Sequence, residues 1–178
     1  MSKPVIVSVD DDAEVLGAIE RDLRQHFRND FRLIKASSGR EGLDVASQLK
    51  QRGQNIALFL VDQRMPEMSG TEFLAEAIKL HPDSCKVLLT AYADTEAAIV
   101  SINRINLDHY LMKPWDPPEE RLYPILDDLL SKWSMSVKLP FDGIRVAGSR
   151  WSPASYTAKE FLSRNQVPYE WIDRKSVV

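Results

Sequence analysis

Cysteine is nearly absent: among 178 residues there is one, Cys85. A disulfide framework within the chain is therefore excluded, and with it the small stapled folds of secreted proteins. Histidine is scarce too. His26, His81 and His109 are scattered, so no cluster of histidine and cysteine favours zinc. Long apolar runs are lacking. The longest is IALFLV, residues 56–61, far short of the about 20 residues a membrane-spanning helix needs. The opening residues, MSKPVIVSVDDD, have neither the apolar core nor the cleavage site of a secretory signal. Nor is charge of one sign in excess. With 23 basic and 26 acidic residues the formal net charge is −3, which gives no electrostatic case for nucleic acid or an anionic membrane as partner. A cytoplasmic protein is expected. Its 44% hydrophobic residues suffice for one ordinary domain and an appendage.

What is present alternates. Apolar runs at PVIVSV, FRLIKA, IALFLV, KVLLTA and LDHYLM are separated by stretches with helical periodicity. The first of these stretches places Val15, Ile19, Leu23 and Phe27 at four-residue spacing. Ser38 with Glu41, and Ser69 with Glu72, read as capping boxes opening the second and third helices. TEAAIVSINRI, residues 95–105, reads as the fourth. Asp116-Pro117-Pro118-Glu119 starts the fifth, with Leu122, Ile125, Leu126, Leu129, Leu130 and Trp133 on one face. Pro124 is expected to kink that helix or split off its first turn. Strands alternating with helices predict an α/β fold whose parallel sheet is covered on both faces. The first, third and fourth runs are almost wholly apolar, as interior strands are, while the second and fifth carry polar residues, as edge strands do. The flavodoxin-like order 2-1-3-4-5 follows, with a functional crevice beyond the carboxyl ends of strands one and three.

The residues at those ends are Asp10, Asp11 and Asp12, then Asp62, Thr90 and Lys113. Asp12 is expected to cap the first helix. Asp10, Asp11 and Asp62 would crowd into one crevice, and crowded carboxylates call for a cation. A hard, oxygen-preferring dication such as Mg²⁺ meets that need. With an ammonium from Lys113 and a hydroxyl from Thr90, these are the parts for phosphoryl transfer to Asp62. Cys85 has no redox partner and is expected to be passive.

VSVDDDAEVL, LFLVDQRMPEMSG, KVLLTAYAD and DHYLMKPW together closely resemble the receiver domains of bacterial two-component response regulators, over about residues 3–134. The resemblance implies that Asp62 accepts a phosphoryl group from a sensor histidine kinase. It implies Mg²⁺ ligated by Asp11, Asp62 and the backbone carbonyl of Arg64, with Asp10 acting mainly through a coordinated water. Lys113 would pair with the phosphoryl oxygens, and Thr90 and Tyr110 would turn together as the switch. The Lys113–Pro114 bond would be cis, and Arg64 and Tyr92 would flank the acceptor. A homodimer is a further expectation. Catalytic turnover is not expected beyond gain and loss of the protein's own phosphoryl group. Haloacid-dehalogenase-like phosphatases also form an aspartyl phosphate, but they need an acid two residues after the nucleophile, where this chain has Arg64. The alternative is a receiver-like interaction module that is never phosphorylated.

After the receiver region (1–135) and a linker (136–143), residues 144–178 form a separate segment. IRVAGS, SPASYTAKEFLSRNQ and PYEWID read as β-α-β, with Phe161 and Leu162 on the helix's apolar side. This resembles the start of a glutaredoxin or thioredoxin-like domain. Ser152-Pro153-Ala154-Ser155 stands where that family has Cys-Pro-x-Cys, so dithiol chemistry at this site is excluded. Receivers joined to such a redox-inert segment and then to a flavin-dependent thioredoxin-reductase-like domain are an architecture the chain resembles. That implies an output region beyond residue 178.

Overall fold

The computed structural model of the protein describes residues 3–91, 105–137, 144–149, 151–165, 167 and 169–173. It divides into two compact units, Ser2–Val137 and Lys138–Val178. In the first, five parallel strands, β1 (Val5–Val9), β2 (Arg32–Ala36), β3 (Ile56–Asp62), β4 (Cys85–Thr90) and β5 (His109–Met112), lie in the order β2-β1-β3-β4-β5. The order is the expected one. Every residue of β1, β3 and β4 is buried, whereas β2 and β5 carry exposed positions.

Strand alternation sorts the helices between the two faces. Ile6, Leu58, Leu60, Val87 and Leu89 pack with Ile19, Leu23 and Phe27 of α1 (Ala13–Phe27) and Leu126, Leu130 and Trp133 of α5 (Tyr123–Ser136). The intervening residues Val5, Val7, Val9, Phe59 and Val61 pack on the other face. There they meet Ala46 and Leu49 of α2 (Gly39–Gln51) and Phe73, Leu74 and Ala77 of α3 (Gly70–Leu80). Each fully buried Leu, Ile or Phe in these two layers contributes roughly 1.5–3 kcal/mol of transfer free energy.

Local signals set the helix starts. Asp12 caps α1, its carboxylate accepting from the amides of Glu14 and Val15. Ser69 and Glu72 form a complete capping box at α3. The expected box at α2 is half formed. Ser38 accepts from the Glu41 amide, but the Glu41 carboxylate bonds the amide and hydroxyl of Ser37 instead. Pro124 divides the last helix of this unit as expected, leaving the one-turn α4 (Pro118–Arg121) ahead of α5. The expected fourth helix over 95–105 lies outside the described residues but for Ile105.

The second unit is β6 (Ile144–Gly148), α6 (Pro153–Arg164) and β7 (Tyr169–Asp173), with β6 and β7 paired in parallel from Ile144↔Tyr169 to Gly148↔Asp173. The β-α-β reading holds, but what it yields is a two-stranded sheet, and a thioredoxin-like domain is not supported. Leu162 is buried, whereas Phe161 is 65% exposed and does not belong to the helix's apolar side. A Cβ on Gly148 would sit 2.5 Å from Ser155 Oγ and 2.6 Å from Trp171 Cη2. The strand, the helix start and the indole therefore meet at a glycine.

Candidate functional site

The strand ends converge on Lys113. β1 stops at Val9, so Asp10 is the first residue past its carboxyl end, and its side chain is buried. Oδ1 of Asp10 accepts from the Asp12 amide at 2.9 Å, and Oδ2 accepts from Lys113 Nζ at 2.7 Å. Asp62, the last residue of β3, is also buried. Its Oδ1 accepts the second Lys113 bond at 2.6 Å, and its Oδ2 accepts from the Arg64 amide at 2.8 Å. Asp11 is exposed at the rim, and carboxylate oxygens of Asp10, Asp11 and Asp62 all lie within 4.8 Å of one another. Lys113 follows directly on β5, and its amide donates to the Thr90 carbonyl at 2.9 Å, tying the ends of β4 and β5 together.

Charge is unevenly shared here. Burial pushes the Asp62 carboxyl above its usual range, and the Asp10 charge adds to this; the Lys113 ammonium and the Arg64 amide oppose it. Burial pulls Lys113 down, but its bonds to Asp10 and Asp62 outweigh that, and its amine is raised. The two directions are compatible: Lys113 gains two carboxylates, whereas Asp62 has half of one ammonium. A cluster of three carboxylates around one ammonium keeps spare oxygen donors and excess negative charge. That donor set suits a hard dication rather than a thiolate- or imidazole-seeking metal.

The other predicted residues are placed as follows. Thr90 ends β4, is buried, and its hydroxyl donates to the Ala91 carbonyl at 3.0 Å, so in this state it serves neither Asp62 nor Lys113. Tyr110, in β5, is 38% exposed and stacks on His109. Arg64 is exposed, one turn of loop after Asp62. Tyr92 lies outside the described residues. The Lys113–Pro114 bond is cis as expected, and so is Asp116–Pro117, which no sequence signal marked. Asp22 was missed as well. It is a buried carboxylate on α1 that accepts from Trp115 Nε1 at 2.9 Å. The available signal was an acid three residues after Ile19 and beside Leu23, on the stripe that faces the core.

Residues 6–123 match the family model for the response regulator receiver domain, and the chain belongs to that family. It is 33% identical over 112 residues to the hydrogenase transcriptional regulatory protein HoxA of Cupriavidus necator, covering 63% of this chain and 21% of that protein. It is 28% identical over 119 residues to the DNA-binding transcriptional regulator NtrC of Escherichia coli, covering 67% and 24%. The chain thus spans about a fifth to a quarter of these curated relatives. A solved response regulator receiver domain protein from Methanospirillum hungatei is 29% identical with a TM-score of 0.64, covering 76% of this chain and all of that one.

The protein is therefore related to two-component transcriptional regulators, which are signalling proteins rather than classical enzymes. Receiver domains in general bind Mg²⁺ and are phosphorylated by sensor histidine kinases, and the acidic cluster is consistent with the metal. The expectation of no nucleic-acid partner finds no support, since a relative is named as DNA-binding. Among the described residues no helix is long and apolar enough to cross a membrane.

Proposed function

We propose that the chain is a phosphoryl-accepting receiver in which Asp62 takes the phosphoryl group of a sensor histidine kinase. The observation that carries this reading is the Lys113 ammonium held 2.6 Å from Asp62 and 2.7 Å from Asp10 at the mouth of a three-carboxylate cluster. Asp10, Asp11, Asp62 and the Arg64 backbone carbonyl are the groups that would hold Mg²⁺. The ion would neutralise the carboxylates and the incoming phosphoryl oxygens.

Asp62 Oδ1 or Oδ2 forms the new bond to phosphorus as the phosphorus–nitrogen bond to the kinase histidine breaks, leaving the imidazole with that electron pair. The Arg64 amide holds one carboxylate oxygen at 2.8 Å and so orients the nucleophile. Lys113, freed from sharing its charge with Asp10, follows the phosphoryl oxygens. Thr90 exchanges its bond to Ala91 for one to the phosphoryl group. Tyr110 moves with it and reports the change on the β5 surface. The output regulated this way lies in the rest of a longer protein. On the sequence resemblance of residues 144–178 alone, with serines where the thiols would stand, that output would be a flavin-dependent, thioredoxin-reductase-like domain, and self-association is the second route by which the signal would spread.

Incubation with phosphoramidate and Mg²⁺ should add one phosphoryl mass to the intact protein. Asp62→Asn should abolish the adduct, and omission of Mg²⁺ should strongly reduce it. Full labelling of Asp62→Asn would remove Asp62 as the acceptor.

A further inference from the structure

The buried carboxylate of Asp22 is not used by the phosphoryl chemistry, yet it is tied to the loop that delivers Lys113. α1 turns Asp22 inward beside Ile19 and Leu23. Its Oδ2 accepts from Trp115 Nε1 at 2.9 Å, and its main-chain carbonyl accepts from the Tyr123 hydroxyl at 3.1 Å. Arg21 Nε, on an exposed side chain, lies 3.7 Å from Asp22 Oδ1. Trp115 is buried and stands two residues after Lys113. Between α1 and this loop a cavity of about 450 Å³ opens, lined among others by Val15, Ala18, Lys113 and Trp115. Trp115 also packs in the core cluster with Ile19 and Leu23 of α1, so apolar contact and this bond together hold the loop to the helix. A hydrogen bond to a charged acceptor supplies direction that apolar contact lacks, fixing the rotation of the indole as well as its depth.

We propose that Asp22 is a positioning residue for Lys113. By holding the Trp115 indole it anchors the loop 113–117 to α1 and so sets where the Lys113 ammonium meets Asp62. The role given to Lys113 rests on the receiver reading above; the anchoring itself does not.

Two measurements separate those claims. The first is the acylation rate of individual lysines in metal-free protein, read by peptide mass spectrometry, with buried Lys86 reporting global opening and exposed Lys132 reporting reagent strength. Asp22→Leu should raise Lys113 modification about fivefold or more and leave Lys86 unchanged, whereas Asp22→Asn, which keeps an acceptor oxygen, should stay within about twofold of the parent. Trp115→Phe breaks the same bond from the other side, so it must reproduce the Lys113 effect even where Asp22→Leu folds poorly. The second is phosphoramidate labelling. Asp22→Leu should slow labelling at Asp62 about tenfold in the parent but by less than about twofold in a Lys113→Ala background. Unchanged Lys113 reactivity in both Asp22→Leu and Trp115→Phe would overturn the proposal, as would fully multiplicative labelling effects of Asp22 and Lys113. A parent protein that takes no label would instead sink the phosphoryl-acceptor reading and leave the lysine reactivities to decide the anchoring.

Discussion

The buried thiol of Cys85 and the exposed carboxylate of Asp11 show how burial decides reactivity in this protein. Cys85 opens β4 inside the core, its thiol 3.5 Å from the Leu129 carbonyl. Burial, reinforced by the Asp108 charge, pushes that thiol up to about 11. A raised value in the folded state means the proton is bound more tightly there than in the unfolded chain. Stability from the neutral thiol is therefore present below about 8.5, the value of an unfolded cysteine, and is lost as pH rises through about 11. At pH 8 far less of the native Cys85 is thiolate, so it should react with Ellman's reagent about a hundredfold more slowly than in the unfolded chain. Because Cys85 is the sole cysteine, the absorbance change reads it alone, and rapid reaction of the native protein would contradict the burial. Asp11 is the opposite case, exposed and close to two other carboxylates. Asp11→Ala should raise the metal-free melting temperature slightly by relieving repulsion. It should also weaken Mg²⁺ about tenfold or more, since even indirect partners of a metal typically cost that much. Melting curves over a Mg²⁺ titration check both; an unchanged titration would remove Asp11 from the ligand set.

At the level of elements, β3 and α3 are joined where neither can yield. A Cβ on Gly70 would collide with the main-chain carbonyl of Asp62 and lie 2.9 Å from Leu88 Cδ1. Gly70→Ala should therefore push α3 off the strand that carries the acceptor. A loss of about 1–3 kcal/mol is expected, with slower labelling at Asp62, measured by urea unfolding and intact mass; a neutral substitution would mean that the loop between β3 and α3 absorbs the shift. The sheet itself was legible in the sequence because its evidence is local and redundant. Buried strands read as apolar runs, edge strands as polar ones, and α1 shows its stripe at Ile19, Leu23 and Phe27. The site was legible for the same reason, since residues just past strand ends need no knowledge of side-chain packing to be placed together. What was not legible depends on choices between near-equal partners. Glu41 had two serines within reach and took Ser37. Phe161 sits beside Leu162 on α6, and only the position of β6 and β7 decides which of them is covered. Asp22 and Trp115 are 93 residues apart, and no periodicity connects a helix carboxylate to an indole in a distant loop.

The whole molecule is two units of unequal means. Among the described residues, both hydrophobic layers of the sheet are drawn from residues 5–137. In the second unit the buried described side chains are Ser155 and Leu162, while Trp151 is 80% exposed and Tyr156 71%. A Lys159 ammonium 3.8 Å over the Trp171 ring and an Arg145–Glu170 pair at 3.1 Å add polar contacts to it. Exposed ion pairs are worth at most about 1 kcal/mol, and a single two-stranded sheet is marginal in water. A chain ending at Val137 should therefore fold alone. It should melt within about 4 °C of the full chain, the shift that roughly 1 kcal/mol would produce, and accept the same phosphoryl label at Asp62. Residues 138–178 as a separate peptide should show no cooperative melt, because so little apolar surface is buried. Circular dichroism of both pieces, with phosphoramidate labelling of the first, tests the division. Loss of folding or of labelling in the shorter chain would show that the second unit supports the receiver. A cooperative transition in the isolated peptide would show that two strands and a helix, with their aromatic side chains, suffice for a domain.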